Sequence, residues 1–295
     1  LWFTSVDYTA DFRADMSQLE DAREAYRKLR NTMRFMFGNL GDFSEVKLEP
    51  SKLQGFDRYI YLKFRKLCRF CMDEYRKFQF HRVYRELRNF AVISLSGQYL
   101  DMRKDRLYCD SPDSESSIMT RQVMAYILKS LIQLLAPLIS FTADEAWEEL
   151  PDCLKGETDS VHLSLYPDDD ELSDTLEDIK ELNGWEPYIE VRKTALKELE
   201  EKRATGEIGG GLDAMVELTV PEYMVESANG EDWSDFLIVS RADVKAGDKI
   251  SISVENAEGS KCGRCWKILP EVGTFSPDDV CARCANVLEG LNFDD

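Results

Sequence analysis

The sequence predicts a mainly α-helical chain, an antiparallel helical bundle followed by a small α+β domain and a short module closed by four cysteines. Three observations predict it. Apolar residues recur at helical spacing over most of the first 155 positions, with capping residues and prolines between the runs. Beyond Gly156 the pattern changes to short alternating runs bounded by glycines. At the end stand two Cys-x-x-Cys knuckles, Cys262 to Cys265 and Cys281 to Cys284, fifteen residues apart. The expected division is 1–16, 17–155, 156–256 and 257–295.

Leu1 to Asp15 reads as irregular, with a β-prone start and the look of a tail left by a preceding domain. Ser17-x-x-Glu20 is a capping box that opens a helix to about Phe37. Its apolar stripe is Leu19, Ala22, Tyr26, Leu29, Met33 and Phe37. Arg23, Arg27, Arg30 and Arg34 line another face. Local glutamates can pair with the first two. Arg30 and Arg34 have no such acid, and either a phosphate or a carboxylate on a neighbouring helix explains them. Two long helices are expected from Asp57 to about Arg106. Tyr59, Leu67, Phe70 and Phe78, then Val83, Leu87, Phe90 and Leu95, supply the buried faces. His81 falls at the turn between them, as a hydrogen-bonded structural histidine or, less simply, a ligand. Ser116 or Ser117 caps the next helix, which Pro137 ends or kinks. Thr142-Ala143-Asp144-Glu145 is a second capping box, opening a helix that carries Trp147.

In the second half, Ser160 to Tyr166 alternates like a strand, and Asp168 to Glu171 is an acidic turn. Glu186 to Arg203 reads as a helix. Asp213 to Val220, Phe236 to Val244 and Asp248 to Glu255 read as strands. Gly209-Gly210-Gly211 lacks the Lys-Ser/Thr of a phosphate loop and reads as a hinge or tight turn.

The spacing of Cys262, Cys265, Cys281 and Cys284 is that of a tetrahedral four-thiolate zinc site. Two disulfides or free thiols are the alternative. Four sulfurs leave no position for water, so the zinc is structural, and metal binding supplies most of the module's folding energy. Gly263 suits the tight turn because it tolerates positive φ. Cys68 and Cys71 also form a Cys-x-x-Cys, but inside a helical pattern with no second pair nearby, and read as core thiols. Free thiols with zinc point to a reducing compartment.

The net charge of −19 argues against general coating of nucleic acid. The charge is uneven, however. Asp57 to Arg106 holds thirteen Lys+Arg against six Asp+Glu, or +7, and Leu107 to Lys180 holds four against seventeen, or −13. Either one oriented polyanion contact or a solvated arginine-rich helix accounts for that. No signal peptide is visible, and the apolar run Ile118 to Ile139 is interrupted by Arg121, Lys129 and Gln133, so no membrane span is expected. With two histidines, His81 and His162, and no Gly-x-Ser-x-Gly, Walker or dinucleotide motif, no catalytic constellation stands out.

Several motifs together carry a resemblance. Ser5-x-Asp7-Tyr8, Asp11-x-Arg13 and Tyr26-Arg27-Lys28-Leu29-Arg30-Asn31-Thr32-Met33-Arg34-Phe35 resemble the stretch after the nucleotide-binding core of isoleucyl-tRNA synthetases. The runs Phe80-His81-x-Val83-Tyr84, Tyr99-Leu100-Asp101-x-x-Lys104-Asp105-Arg106 and Phe141-Thr142-Ala143-Asp144-Glu145-Ala146-Trp147 are similar to that family's anticodon-binding helical domain. The paired knuckles with Trp266 resemble the C-terminal zinc region of its bacterial-type members. Gly209-Gly210-Gly211 departs from the family, where a more polar pair is expected.

The resemblance implies a class I ligase that uses ATP and Mg2+ to join isoleucine to tRNA(Ile) and edits mischarged valine, with those catalytic residues in a core preceding Leu1. No catalytic residue is expected in this chain. It would hold the anticodon stem and loop, as part of a monomer that binds no membrane and works in the cytoplasm or, as the alternative, in an organelle. Under that reading Arg76, Lys77, Arg82, Arg85, Arg88 and Lys104 neutralise phosphates. Trp266 stacks an unpaired base. Lys261, Arg264, Lys267 and Arg283 touch RNA or merely offset the charge of a zinc tetrathiolate. A stand-alone zinc-ribbon binding module, or a valyl or leucyl relative, is the rival reading.

Overall fold

A computed structural model describes residues 1–12, 15–166 and 175–290. Arg13 and the acidic run Asp168 to Glu171 lie outside the described residues. In chain order the elements begin with α1 (Trp2–Ser5), α2 (Met16–Leu40), α3 (Gly55–Arg76) and α4 (Phe80–Asn89). A π-helical stretch, Phe90–Leu100, continues α4 into α5 (Asp101–Cys109). Then come α6 (Glu115–Leu135), α7 (Ser140–Glu148), α8 (Asp152–Lys155), α9 (Leu176–Gly184) and α10 (Glu186–Ala204). The remainder is β1 (Ala214–Val220), α11 (Trp233–Leu237), β2 (Arg241–Ala246), β3 (Ser251–Asn256), β4 (Ser260–Lys261), β5 (Ile268–Leu269) and α12 (Ala282–Gly290). The chain is thus mainly helical, with a small mixed sheet and a cysteine cluster at its end, the class that the spacing predicts. Among the described residues no helix is long and apolar enough to cross a membrane.

Two compact units form. The first comprises Leu1–Leu53, Asp57–Asp101 and Ile118–Lys180. It is a helical bundle whose core is the aligned apolar stripes of α2 (Leu29, Met33, Met36, Leu40), α3 (Ile60, Phe64), α4 (Val83, Leu87) and α6 (Ile127, Leu131, Leu135), all buried. The helix α2 packs on the π stretch, and α1 packs on α2 and α4. Trp147 is wholly buried and donates from Nε1 to the Thr158 carbonyl at 3.0 Å, so the indole is satisfied inside the core.

The second unit comprises Gln54–Phe56, Met102–Ser117 and Glu181–Asp295. Its sheet has the order β2-β1-β3, β1 running parallel to β2 and antiparallel to β3, with Val216 opposite both Ala242 and Val254. Ala214, Val216, Leu218 and Val220 alternate onto the buried face. An aromatic cluster, Phe56, Trp185, Tyr188, Trp233 and Phe236, fills the core beside α10 and α11. Glycine at 211 reflects close approach: a Cβ there would sit 2.8 Å from the Ile238 carbonyl oxygen. That packing, rather than a hinge, explains the position.

Several expectations are corrected. Trp2 to Ser5 is a helical turn, not an extended segment, because the Thr4 and Ser5 hydroxyls donate back to the Leu1 and Trp2 carbonyls. The cap of α2 is Asp15, which accepts from the Gln18 amide at 3.1 Å, and not Ser17. Ser114 accepts from the Ser117 amide at the start of α6. Thr142 lies inside α7, with its hydroxyl 3.0 Å from that of Tyr26. Ser160 to Tyr166 is no strand: Val161–Leu163 form a 3-10 turn, since Asp144 takes the Ser160 hydroxyl at 2.6 Å and the Val161 amide at 3.1 Å. Phe236 and Leu237 close a helix rather than open a strand, because Asp232 caps it through the Ser234 and Asp235 amides. Finally Phe78, expected in the core, is 63% exposed.

Candidate metal centre and nucleic-acid interface

The first knuckle is the turn between β4 and β5, two antiparallel strands paired Ser260 to Leu269 and Lys261 to Ile268. The turn is closed by the Cys262 amide on the Lys267 carbonyl at 2.9 Å and the Trp266 amide on the Cys262 carbonyl at 3.0 Å. The positive φ that such a turn needs falls on Trp266, at 66°, and not on Gly263. Glycine is needed at 263 for another reason: its amide donates to the Asp279 carbonyl at 2.7 Å, and a Cβ would come 2.8 Å from an Asp279 carboxylate oxygen. The second knuckle begins at Cys281, just before α12, and ends on the first turn of that helix at Cys284.

All four cysteines are buried, and their sulfurs lie within 4.8 Å of one another. The Cys265 and Cys281 sulfurs are 3.8 Å apart, far beyond the ~2.05 Å of a disulfide. That separation is about the edge of a tetrahedron whose centre sits ~2.3 Å from each sulfur. The Cys281 amide points at the Cys262 sulfur from 3.3 Å. Burial pushes the Cys262 thiol up, but the amides of Cys265, Cys281 and Arg264 outweigh it and bring the thiol down to about 6. Burial pushes Cys265 up, and Cys284 up to about 11. The Cys262 sulfur is favoured as a thiolate while burial works against negative charge on Cys265 and Cys284, so a divalent cation suits the cluster. The donor set fits a closed, four-coordinate metal site.

The cations around the cluster are engaged within the second unit. Arg283 forms a two-pronged pair with Asp105, one arm at 2.7 Å, and reaches Asp110 at 3.5 Å. Lys267 holds Asp235 at 2.6 Å and is mostly buried. Arg264 donates to the Cys109 carbonyl and keeps a guanidinium nitrogen 3.9 Å from the Cys284 sulfur. Lys261 is exposed, its nearest acid Asp213 at 3.9 Å. Trp266 stands 62% exposed beside the buried Cys265. Cys109 joins the buried cluster, and burial pushes its thiol up to about 12.

In the first unit Arg76, Lys77, Arg85 and Arg88 lie exposed on α3, the following turn and α4. Arg76 pairs with Asp73 at 3.2 Å, Lys77 with Glu74 at 3.0 Å and Arg85 with Glu86 at 3.1 Å. Arg82 is partly covered, holding Glu74 at 2.6 Å. The Arg76–Asp73 and Arg85–Glu86 pairs are exposed and worth about 0–1 kcal/mol, so a phosphate can displace those carboxylates, whereas Glu74 is buried and keeps Lys77 and Arg82 as its counter-charges. Arg30 reaches Glu145 on α7 at 3.5 Å, which favours the neighbouring-helix explanation for it. Lys104, in the second unit, is exposed on α5. Cys68 and Cys71 are buried, with both thiols pushed up by burial, as core cysteines should be.

Sequence reasoning missed Glu231. Its buried carboxylate accepts from Arg103 at 2.6 and 3.0 Å, from Arg106 at 2.9 Å and from the Phe56 amide at 2.8 Å. Burial raises its pKa, but the two guanidiniums and the amide outweigh that and hold it below the usual glutamate range.

Comparison with known proteins completes the site. The family described as the anticodon-binding domain of tRNA ligases matches residues 57–218. The isoleucine--tRNA ligase of Carboxydothermus hydrogenoformans is 38% identical over 99% of this chain and 32% of its own length. That of Brevibacillus brevis is 37% identical over 98% of this chain and 32% of its own length. That of Natranaerobius thermophilus is 32% identical over 99% and 33%. The chain therefore spans about a third of the length of the curated relatives it matches.

Proposed function

We propose, because this chain belongs to the family of anticodon-binding domains of tRNA ligases, that it is the tRNA-gripping part of an isoleucine--tRNA ligase and binds the anticodon arm of tRNA(Ile). The full ligase would join isoleucine to that tRNA with ATP and Mg2+, in the cytoplasm and as a monomer, through residues that this chain does not contain. The observation that carries the reading is the match of nearly the whole chain, knuckles included, to relatives named isoleucine--tRNA ligase.

Within it, Cys262, Cys265, Cys281 and Cys284 hold one structural zinc ion, which fixes the turn that presents Trp266. The exposed indole stacks on an unpaired anticodon-loop base. Arg76, Lys77, Arg82, Arg85, Arg88 and Lys104 meet phosphates, and Lys261 adds a charge beside the indole. Arg264, Lys267 and Arg283 act chiefly on the protein side, tying the module to Cys109, Asp235 and Asp105.

A filter-binding titration with tRNA(Ile) and tRNA(Val) at several salt concentrations tests this. The expected result is tighter binding of tRNA(Ile), with an affinity that falls steeply as salt rises. Equal and weak affinity for both at physiological salt contradicts anticodon recognition. Trp266→Ala should weaken tRNA(Ile) binding by about 1–3 kcal/mol in the same assay, with helical circular dichroism unchanged.

A further inference from the structure

Phe78 occupies a position that helices ordinarily give to glycine. The helix α3 ends at Arg76, and the Phe78 amide donates to the Tyr75 carbonyl at 3.0 Å and the Gln79 amide to the Glu74 carbonyl at 2.9 Å. That bonding pattern ends a helix with a left-handed residue, and Phe78 has φ 57°. A Cβ makes this conformation costly, which is why glycine or asparagine usually fills it. A buried ring would repay the cost, yet 63% of Phe78 faces solvent. Among the described residues its ring meets Phe80 edge-on at 6.2 Å, and Phe80 in turn lies 6.0 Å from Tyr75, whose hydroxyl is anchored on the Leu134 carbonyl. The ring is thus propped from behind and left open. Trp266 has the same pair of properties, positive φ and 62% exposure.

The surroundings are cationic. Between Lys63 and Arg88 stand nine lysines and arginines against three acids, a balance of +6. Lys77 is the adjacent residue, and Arg76 and Arg82 flank it within four positions. An exposed aromatic face beside exposed cations such as Arg76 and Lys77 suits a base whose phosphates run beside it. It suits an apolar protein surface less well, because docking would bury those charges.

We infer that Phe78 is a stacking residue for an unpaired base of the bound RNA, a second aromatic contact besides Trp266. This rests on the tRNA-binding reading above. Strain of this kind at an exposed side chain is retained where a ligand uses the side chain.

The test is Phe78→Gly and Phe78→Tyr, each measured for thermal midpoint and for affinity toward a tRNA(Ile) transcript and a fully paired RNA duplex of similar length. Phe78→Gly should raise the midpoint, since glycine suits the left-handed position, while weakening tRNA(Ile) roughly tenfold and leaving the duplex unchanged. Phe78→Tyr keeps the ring and should stay within about threefold of the parent. Unchanged tRNA affinity in Phe78→Gly overturns the inference alone. A fall in both midpoint and affinity also overturns it, by giving the ring a structural role. Failure of the parent protein to bind tRNA(Ile) overturns the functional reading and this inference with it.

Discussion

Replacing Cys281 with serine should release about one zinc ion per chain and loosen residues 261–285, while the helices of the first unit stay folded. The apolar core of the module is thin: among the described residues, Val280, Ala285 and Cys109 are buried around the four cysteines, with Leu269, Val272 and Leu288 partly so. So small a core does not fold alone, and under the proposed reading metal coordination would supply most of the folding energy, on the order of 10–16 kcal/mol apparent. Cys281 also accepts the Ala285 amide and donates its own to the Cys262 sulfur, so it couples the two knuckles directly. Loss of the metal should carry Arg283 and Arg264 away from Asp105 and the Cys109 carbonyl, and loosen the last turn of α5. Metal content by elemental analysis and amide exchange by mass spectrometry read both effects. If the helices of the first unit melt with the module, the proposed separation of the helical domain from the 257–295 module is wrong.

Glu231→Gln should destabilise the second unit by about 3–5 kcal/mol, the cost of leaving buried charge without its counter-charge. Glu231 and Arg103 are both nearly inaccessible, at 4% and 1%. The carboxylate joins residues far apart in sequence, 128 positions to Arg103 and 175 to Phe56. A neutral amide keeps the shape but offers one acceptor where two guanidiniums and an amide converge. The neighbouring Gly55 is also required, since a Cβ there would sit 2.4 Å from a Glu231 carboxylate oxygen. The pH dependence follows from the depressed pKa. The stabilisation is fully present above the ordinary glutamate value of about 4.3 and is lost as pH falls below it, through the lower folded value. Urea titrations at neutral and acid pH should show the parent converging on the variant as pH drops. A parent and variant that differ equally at both pH values would contradict the electrostatic account.

How much of this was legible in the sequence depended on the range of the interactions. The cysteine cluster was legible because each Cys pair lies three residues apart, and the helices because their apolar spacing is local. The assignments that failed did so where a side-chain cap or a contact from elsewhere, rather than apolar spacing, settled the backbone. Asp144 turned Ser160 to Tyr166 into a 3-10 turn, and Asp232 made a helix of Trp233–Leu237. Partners of the metal module were invisible for the same reason, since Arg283 meets Asp105 across 178 positions. Glu231 carries no motif at all. Phe78 was misplaced because helical spacing marks which residues share a stripe but not where the stripe ends. The missing glycine after Arg76 was the available signal.

The most direct measurement is a hydroxyl-radical footprint of tRNA(Ile) bound to this chain at moderate salt. Protection confined to the anticodon stem and loop, narrowed in the loop by Trp266→Ala and by Phe78→Gly, is the predicted result. Protection centred on the acceptor stem, or an even, weak pattern along the whole tRNA, would contradict the account.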